Sequence, residues 1–398
     1  MSTWSSCDRL LAALHYQEPD HVPLVFNPFG FVPPPHLAWS NQFEEAQVWL
    51  SIGADAWLDV APPIRYYPDV TTREWLETIP GERWPVMIKE YHTPAGVLRQ
   101  EVYRTEDWVT EEWPQHKAGD EELRLLDDYS VARYRRAPIQ DEQDVERLKY
   151  LFYPLSDEAI AEFREGAYAV ARRAEELGVM VTGMGINGGD AACWLCGAQG
   201  MIDLALEQPD LFDALLDVIY ERDRHAIEIM LDTPVDFILM RGYYQGTTFW
   251  SPRLFRRFFL PRIKRLVDIV HQAGRLFGYT MSVGVMPLLD AFVEMGVDAN
   301  YLLDPIEGGG GQRIDLHKVK ATWNGKVAVI GGINEPITLE RGTREEIRQE
   351  VFDAVRILGP GGGLCLSPAE AIQPLTTWES IEILMEAWRE VRDYPIRI

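Results

Sequence analysis

Eight short apolar runs, spread along the chain, constrain the fold of this sequence more than any other feature. Nearly every residue in each run is apolar, and apolar and polar residues do not alternate. Strands that are covered on both faces have this pattern. The sequence therefore predicts eight buried, parallel strands. The runs are Val22–Phe26, Ala54–Ala61, Val179–Gly183, Val235–Met240, Arg275–Tyr279, Val297–Leu302, Val327–Ile330 and Gly363–Ser367.

Helical segments lie between these runs and carry start and stop signals. The segment Leu155–Leu177 has a helical period and ends at Gly178. Ser251–Pro252 has the residue types of an N-cap and a first turn, and Thr343 with Glu346 has the pattern of a capping box. Strands that alternate with helices predict an α/β fold. Eight such units favour a (β/α)8 TIM barrel over the alternative, an open doubly wound sheet.

The long interval between the second and third predicted strands contains a different pattern. The segment Val86–Tyr103 alternates around the turn signal Thr93–Gly96, which predicts a β-hairpin. We expect a hairpin insertion over residues 84–110, serving either as a flap without function or as a lid or docking surface. Since no repeat or linker interrupts the chain, we expect a single domain over residues 1–398.

Composition excludes several classes of protein. The 398 residues are 46% hydrophobic, which is too apolar for a disordered chain. The net charge of −24 argues against a nucleic acid or an anionic membrane as partner. No apolar run is long enough to span a membrane, and Met1–Ser6 lacks the features of a signal peptide. With only four cysteines, a cytoplasmic location is expected.

Several motifs resemble a known family. The stretches Gly331–Pro336, Gly361–Pro374 and Ser251–Pro261 resemble the uroporphyrinogen decarboxylase superfamily. The opening, Asp8–Leu14 followed by Glu18–Pro23, resembles the corrinoid-methyltransferase branch of that superfamily. The resemblance covers nearly the whole chain. It implies a (β/α)8 barrel, in agreement with the strand pattern, and it also implies pairing into a homodimer.

The resemblance implies one of two chemistries. One is cofactor-free decarboxylation of the acetate arms of a porphyrinogen. The other is methyl transfer that involves a corrinoid protein, with zinc holding a thiol acceptor in the best-known members. Those zinc enzymes carry a His-x-Cys pair after the fifth strand and a Cys after the eighth. Here the corresponding residues are Tyr279, Met281 and Glu370, so we expect no metal at that position.

The porphyrinogen reaction also lacks its usual residues. True decarboxylases have an arginine-rich loop after the first strand and a substrate-site His after the eighth. Here the loop Asn27–His36 contains no Arg, and Glu370 corresponds to the His. Because a polyanionic tetrapyrrole would meet an acidic site, its binding is disfavoured. Methyl transfer is therefore the leading hypothesis, and decarboxylation of a porphyrinogen or a smaller acid is the alternative.

Candidate site residues follow from the fold, because the active sites of such barrels form at the carboxyl ends of the strands. We expect Glu370 or Asp59 to act as the general acid, Arg241 to pair with a carboxylate, and tyrosines to bind a methylammonium group. The remaining candidates share a position after a predicted strand or at its end. The substrate-binding candidates are Asn27, Asn187, Arg241, Tyr243, Tyr244, Gln245, Tyr279, Asp304, Asn334 and Gln373.

Structural roles compete with these functional ones. Arg241 could form an ion pair with Asp59 or Asp304, and Tyr243 and Tyr244 could pack beneath the hairpin. Helix capping could explain three further polar residues, which are Asp190, Asn334 and Glu335.

Cofactor and partner predictions complete the hypothesis. A single CxxC, Cys193–Cys196, supplies at most two metal ligands, so we interpret it as buried small side chains. No directly bound cofactor is expected, and the corrinoid would be carried by a partner protein. A small molecule is the expected substrate. A binding protein without catalytic activity is a third hypothesis.

Overall fold

The computed structural model describes residues 4–106, 122–307 and 311–396. The chain divides into two compact units. The first unit comprises Met1–Ala61, Arg164–Gly185 and Ile227–Ile398, and the second comprises Pro62–Phe163 and Ile186–Ala226. The single domain expected from the sequence stays a prediction. None of the helices in the described residues is both long enough and apolar enough to cross a membrane.

The strands are numbered in chain order. They are β1 Trp57–Val60, β2 Thr71–Glu77, β3 Val86–Thr93, β4 Gly96–Tyr103, β5 Tyr134–Arg136, β6 Met180–Ile186, β7 Phe237–Met240, β8 Leu276–Thr280, β9 Ala299–Leu303, β10 Ile306–Glu307, β11 Gln312–Arg313, β12 Ala328–Ile333 and β13 Leu364–Pro368.

The α-helices are numbered in the same way. They are α1 Ser6–Leu14, α2 Gln42–Ser51, α3 Asp128–Val131, α4 Glu142–Leu148, α5 Asp157–Leu177, α6 Asp190–Cys196, α7 Ala198–Glu207, α8 Pro209–Leu231, α9 Pro252–Phe258, α10 Leu260–Gln272, α11 Leu289–Met295, α12 Leu316–Trp323, α13 Arg344–Leu358 and α14 Trp378–Val391.

A parallel sheet of seven strands organises the first unit. Its order is β1-β6-β7-β8-β9-β12-β13, so neighbours in the sheet are also successive strands of the predicted series. Seven of the eight apolar runs overlap one of these strands. The prediction of an α/β fold with a buried parallel sheet is confirmed.

The first apolar run pairs with both edges of this sheet, but by isolated bridges. Leu24 lies parallel to Leu366 of β13, and Val25 lies parallel to Asp55, just before β1. The Leu24 N–H donates to the Asp55 side chain at 3.2 Å, and Pro23 has no N–H to donate. The first run therefore forms no continuous ladder of backbone hydrogen bonds, although the sequence predicted a strand there.

Apolar side chains of the sheet and of α1 form the core of the first unit. Phe237, Leu239 and Tyr301 are all buried in it. Gly278 provides room for them, because a Cβ atom there would lie 2.3 Å from the Phe237 ring. The strands that lead to the polar residues at their carboxyl ends are thus closely packed.

The predicted helix ends in this unit are confirmed. The Ser251 side chain accepts a hydrogen bond from the Leu254 N–H at the start of α9. Thr343 and Glu346 form the capping box of α13. Gly178, with φ +66°, follows the end of α5.

An antiparallel sheet of order β2-β3-β4-β5 characterises the second unit. Its central pair has the register Val86↔Tyr103 through Thr93↔Gly96, which is the predicted hairpin pairing. The hairpin is thus half of a larger sheet rather than an isolated insertion. Strand β2 was not predicted, because its residues are mostly polar and exposed. Residues 107–110 of the predicted insertion lie outside the described residues.

Candidate functional site

Two loops that follow the first apolar run and β13 are joined by their backbones. The Ile372 N–H donates to the Asn27 carbonyl and the Phe29 N–H donates to the Ile372 carbonyl, both at 2.9 Å. Between β13 and this junction, Glu370 and Ala371 have φ values of +65° and +76°. Non-glycine residues seldom adopt this left-handed conformation, and when they do it is often at functional sites.

Glu370 is held by a neighbouring hydroxyl and a neighbouring cation. The Ser282 hydroxyl, just beyond β8, donates to Glu370 Oε1. Burial raises the pKa of Glu370, while the Ser282 hydrogen bond and the charge of Arg241 act in the opposite direction. Burial is the largest of these effects. Glu370 therefore keeps its proton to a higher pH than an exposed glutamic acid does.

Arg241 follows β7, and its guanidinium lies over the ring of Tyr243 at 5.0 Å from the ring centre. The Gln245 side-chain amide donates to the Arg241 carbonyl at 3.1 Å, and this hydrogen bond stabilises the turn. The charge of Arg241 acts on Glu370, an interaction that was not among the ion pairs considered from the sequence. The structure thus brings Arg241, Tyr243 and Glu370 into one group.

A second carboxyl, Asp304, lies close enough to Glu370 to be influenced by its charge. Asp304 follows β9, and its two oxygens accept hydrogen bonds from the Asn334 amide at 3.0 and 2.9 Å. The Ile306 N–H donates to it at 2.8 Å. The pKa of Asp304 is nevertheless raised to about 7, mainly by burial and to a smaller extent by the charges of Glu370 and Glu350. Near neutral pH, this part of the site stores a proton.

Asn334 also has the capping role that was considered from the sequence. Its side-chain oxygen accepts from the N–H of Ile337 at 2.8 Å and of Thr338 at 3.2 Å, at the start of a short π-helical turn. Its own N–H donates to Glu350 of α13 at 2.6 Å. Glu335 accepts from the Gln373 N–H at 3.3 Å and from the Thr376 hydroxyl. These residues position Asp304 and the loop that carries Glu370.

Asp59 belongs to a separate group at the end of β1. The Asn27 side chain is hydrogen-bonded to the Tyr301 hydroxyl. Burial raises the pKa of Tyr301 well above its usual value. Water reaches the Asp59 side chain, yet the surrounding protein raises its pKa to about 7. Glu45 of α2 lies close enough to interact with Asp59, and burial raises its pKa to about 7 as well.

Three other predicted residues have structural contacts instead. Tyr279 is fully buried, and its ring centre lies 5.4 Å from that of Phe292 on α11. Tyr244 has an aromatic neighbour, Phe249, at 5.6 Å. Asn187 lies in the second unit, where its carbonyl accepts from the Asp190 N–H at 3.1 Å. Their proposed roles in binding substrate stay predictions.

Two further interpretations concern α6 in the second unit. Asp190 is the first residue of this helix and Gly189 holds the cap position, so the capping role suggested for Asp190 is wrong. Cys193 and Cys196 are buried and form no disulfide. Burial raises the pKa of Cys193 to about 12, which keeps it protonated. The interpretation of this CxxC as buried side chains is confirmed.

The residues at the superfamily's zinc position do not fit zinc. Tyr279 and Met281 are fully buried, and neither a phenol nor a thioether is a usual zinc ligand. Within residues 4–106, 122–307 and 311–396, no group of three His, Cys, Asp or Glu side chains could hold a metal ion. We therefore derive no step through zinc.

Comparisons with known proteins place the chain in a family. Residues 128–391, well over half of the chain, match the family profile of uroporphyrinogen decarboxylase (URO-D). The chain therefore belongs to the URO-D family, whose members include decarboxylases and methyltransferases. A search of curated proteins gave no match.

Solved structures give the corresponding fold. A methyltransferase from Methanosarcina mazei is 17% identical, with a TM-score of 0.56, and the match covers 97% of this chain and 99% of that one. A B12-independent methionine synthase from a Shewanella species, in complex with selenomethionine, is 10% identical, with a TM-score of 0.39. That match covers 57% of this chain and 64% of that one. At 17% identity, the likeness to the Methanosarcina mazei methyltransferase supports the fold alone.

Four residues with a place in these groups were not predicted. Ser282 follows the predicted strand Arg275–Tyr279, and Tyr301 lies within the predicted strand Val297–Leu302. Their positions on or after strands are the signal that could have identified them. Glu45 and Glu350 lie on helices, and only tertiary packing brings them to their partners. No local pattern identifies them.

Proposed function

We propose that this protein is a methyltransferase that moves a methyl group between a small methylated compound and a corrinoid carried by a partner protein. Glu370 is the general acid. The observation that carries the proposal is the environment of Glu370, which combines burial, a serine donor and an adjacent arginine. Family membership supports the reaction class.

The reaction places one demand on this chain, which is a proton for the leaving group. The methyl group departs without its bonding electrons, which stay on the oxygen or nitrogen of the donor compound. That atom then takes the proton of Glu370 and leaves as an alcohol or an amine. The reduced corrinoid, as the acceptor substrate, supplies the electron pair for the new bond. Glu370 ends as a carboxylate, and protonation from solvent restores it.

The residues around Glu370 hold it for this step. The Ser282 hydroxyl binds Oε1 and thereby directs the proton to Oε2. Arg241 lies beside the new carboxylate and stabilises its charge. Asp304, with its pKa raised to about 7, is a nearby source of a replacement proton. Burial of these groups strengthens each of these interactions.

The test is a spectroscopic assay with purified protein. Reduced cobalamin is mixed with a panel of small methyl ethers, methylamines and methyl esters, and transfer is followed by the visible spectrum of the cobalt. We expect a spectral change with at least one donor class and its loss in Glu370→Gln. Glu379→Gln, an exposed residue in the first turn of α14, is the matched control. Absence of transfer from every donor, or full activity of Glu370→Gln, would contradict the proposal.

Decarboxylation is the second candidate, and the position of Arg241 favours it. A guanidinium beside a protonated carboxyl could bind a substrate carboxylate and protonate the carbon that remains after loss of carbon dioxide. Release of carbon dioxide from a small carboxylic acid, abolished in Arg241→Ala, would support this reaction over methyl transfer.

A further inference from the structure

The charge of Arg241 is the permanent one in the group that Arg241, Tyr243, Glu370 and Asp304 form. A guanidinium stays protonated throughout the physiological pH range. Glu370 is neutral whenever it holds the proton that it donates as an acid, and Asp304, with its pKa raised to about 7, carries only part of a negative charge near neutral pH. A donor molecule beside protonated Glu370 therefore meets the positive charge of Arg241, which already acts on Glu370.

The aromatic rings of this site are in contact with other groups. The Arg241 guanidinium lies 5.0 Å from the centre of the Tyr243 ring, which is the position that a methylammonium group would take over that ring. Tyr279 is fully buried, and its ring packs against Phe292. A second cation at Tyr243 would lie close to the guanidinium, and like charges repel at such distances.

The chemistry of the leaving atom points in the same direction. When a methyl group leaves an oxygen, the bonding electrons stay on that oxygen, which takes the proton of Glu370 and departs as an alcohol or acid. Alkylamines have pKa values close to that of lysine, about 10.4, so they are ammonium ions at neutral pH. An ammonium nitrogen that loses its methyl group recovers its lone pair and departs as a neutral amine without a further proton. An acid beside an arginine thus serves an oxygen donor.

We propose that Arg241 is a specificity-determining residue, which restricts the site at Glu370 to donors whose methyl group is bonded to oxygen and excludes methylammonium compounds. Tyr243 is a positioning residue, because its ring holds the guanidinium. Small methyl ethers and methyl esters are the corresponding substrate class. The inference rests on the proposed function, since a leaving atom within hydrogen-bond reach of Glu370 lies near the charge of Arg241.

Ligand-observed NMR with the full chain at pH 7 tests this selection through binding alone. The probes are matched pairs that differ only in the atom that carries the methyl group. One pair is 2-methoxyethanol and 2-(methylamino)ethanol, and the other is benzyl methyl ether and N-methylbenzylamine. We expect at least one ether to bind about tenfold more tightly than its amine partner, which is a cation at this pH. Absence of binding by both ethers, or binding of the amines that is equal or tighter, overturns the proposal.

Variants test whether Arg241 causes the selection. Arg241→Gln removes the positive charge and should bring the ratio of ether to amine affinity close to one. Tyr243→Leu, which removes the ring, should lower the ratio, whereas Tyr243→Phe, which keeps the ring, should preserve it. A ratio that stays unchanged in Arg241→Gln would overturn the role of Arg241. A ratio that is lost in Tyr243→Phe as in Tyr243→Leu would overturn the positioning role of the ring.

Arg172 provides the matched control for charge. It is exposed on α5, on the segment that precedes β6, so Arg172→Gln removes the same charge away from the carboxyl ends of the strands. The affinity ratio should be preserved in this variant. An equal fall of the ratio in Arg172→Gln and Arg241→Gln would show an effect of overall charge and overturn the proposal.

The same pairs in the cobalt assay separate this inference from the proposed reaction. Methyl transfer from an ether that binds, with little transfer from its amine partner, supports both. Equal transfer from the two members of a pair overturns the selection but agrees with methyl transfer. Selective binding of an ether without any transfer contradicts methyl transfer, while it supports the charge selection by Arg241.

Discussion

Two carboxyl groups of the first unit have similar pKa values but different surroundings. Asp304 is tied by the Asn334 amide and the Ile306 backbone to a network that continues to Glu350. Asp59, beside Glu45, lies at a cavity of about 70 Å³ that has no Lys, Arg or His among its described lining residues. The comparison shows that a raised pKa can arise in two kinds of surroundings: within a hydrogen-bonded network, as at Asp304, and beside another carboxyl without a basic residue, as at Asp59.

The largest effect on stability should come from breaking the network at Glu350. Glu350 is 2% exposed and accepts hydrogen bonds from the Asn334 N–H at 2.6 Å and from Arg313 at 2.7 Å. Glu350→Ala leaves these donors without their acceptor and should lower the free energy of unfolding by about 3–5 kcal/mol. Urea denaturation measures it.

Glu345 provides the matched control on the same helix. It is exposed in the first turn of α13, so Glu345→Ala should change the free energy of unfolding by about 0.5 kcal/mol or less. Equal losses in the two variants would show that the network around Glu350 does not stabilise the fold.

The next effect concerns the rate of reaction. If Glu370 is the general acid, Glu370→Gln should reduce methyl transfer by about 100- to 10,000-fold, because the amide cannot donate the proton. The cobalt spectrum under single-turnover conditions gives the rate. Stability should stay unchanged or increase, since an amide does not carry the burial cost of a carboxylate. A large loss of stability would point to a structural role instead.

A third prediction concerns the pH dependence of stability at Asp304. Its folded pKa of about 7 lies above the ordinary aspartic acid value of 3.8, so the folded protein holds this proton more tightly. The stabilising contribution is complete below about pH 4 and is lost as pH rises to about 7. Asp304→Asn should reduce the fall in unfolding free energy between pH 5 and 8 by roughly 1–3 kcal/mol. Denaturation curves at both pH values decide it, and an unchanged slope would contradict the assignment.

The smallest predicted effect is the change in stability caused by Asp59→Asn. Asp59→Asn removes one of two uncompensated carboxyls, so at pH 8 it should stabilise the fold, by less than about 1 kcal/mol because water screens the exposed side chain. At pH 5, where the carboxyl is protonated, the gain should disappear. Thermal unfolding at the two pH values measures it. Destabilisation at pH 8 would show that Asp59 has a favourable partner.

The parallel sheet could be predicted from the sequence, because a strand that is buried on both faces is a run of mostly apolar residues. Each run from Ala54–Ala61 to Gly363–Ser367 overlaps a strand. The first run, Val22–Phe26, forms only isolated bridges, because the Leu24 N–H donates to the Asp55 side chain and not to the backbone of a neighbouring strand. In the second unit, β2 is polar and exposed, so no apolar pattern marks it.

The site was predicted in part for a similar reason. Position after a strand identified Glu370, Arg241 and Asp304, since the carboxyl ends of parallel strands lie at one edge. It also selected Tyr279, whose side chain is buried against Phe292, because position on a strand does not reveal which face a side chain takes. Contacts made by helices, such as that of Glu45 with Asp59, depend on packing and have no local signal.

The protonation state of Glu370 tests the central claim most directly. Infrared difference spectra of the wild type minus Glu370→Gln, recorded over a pH series without substrate, isolate the signal of this one side chain. The account predicts that the carbonyl band of the protonated carboxylic acid persists to a higher pH than that of an exposed glutamic acid. Loss of this band at the pH at which an exposed glutamic acid ionises would contradict the assignment of Glu370 as the acid.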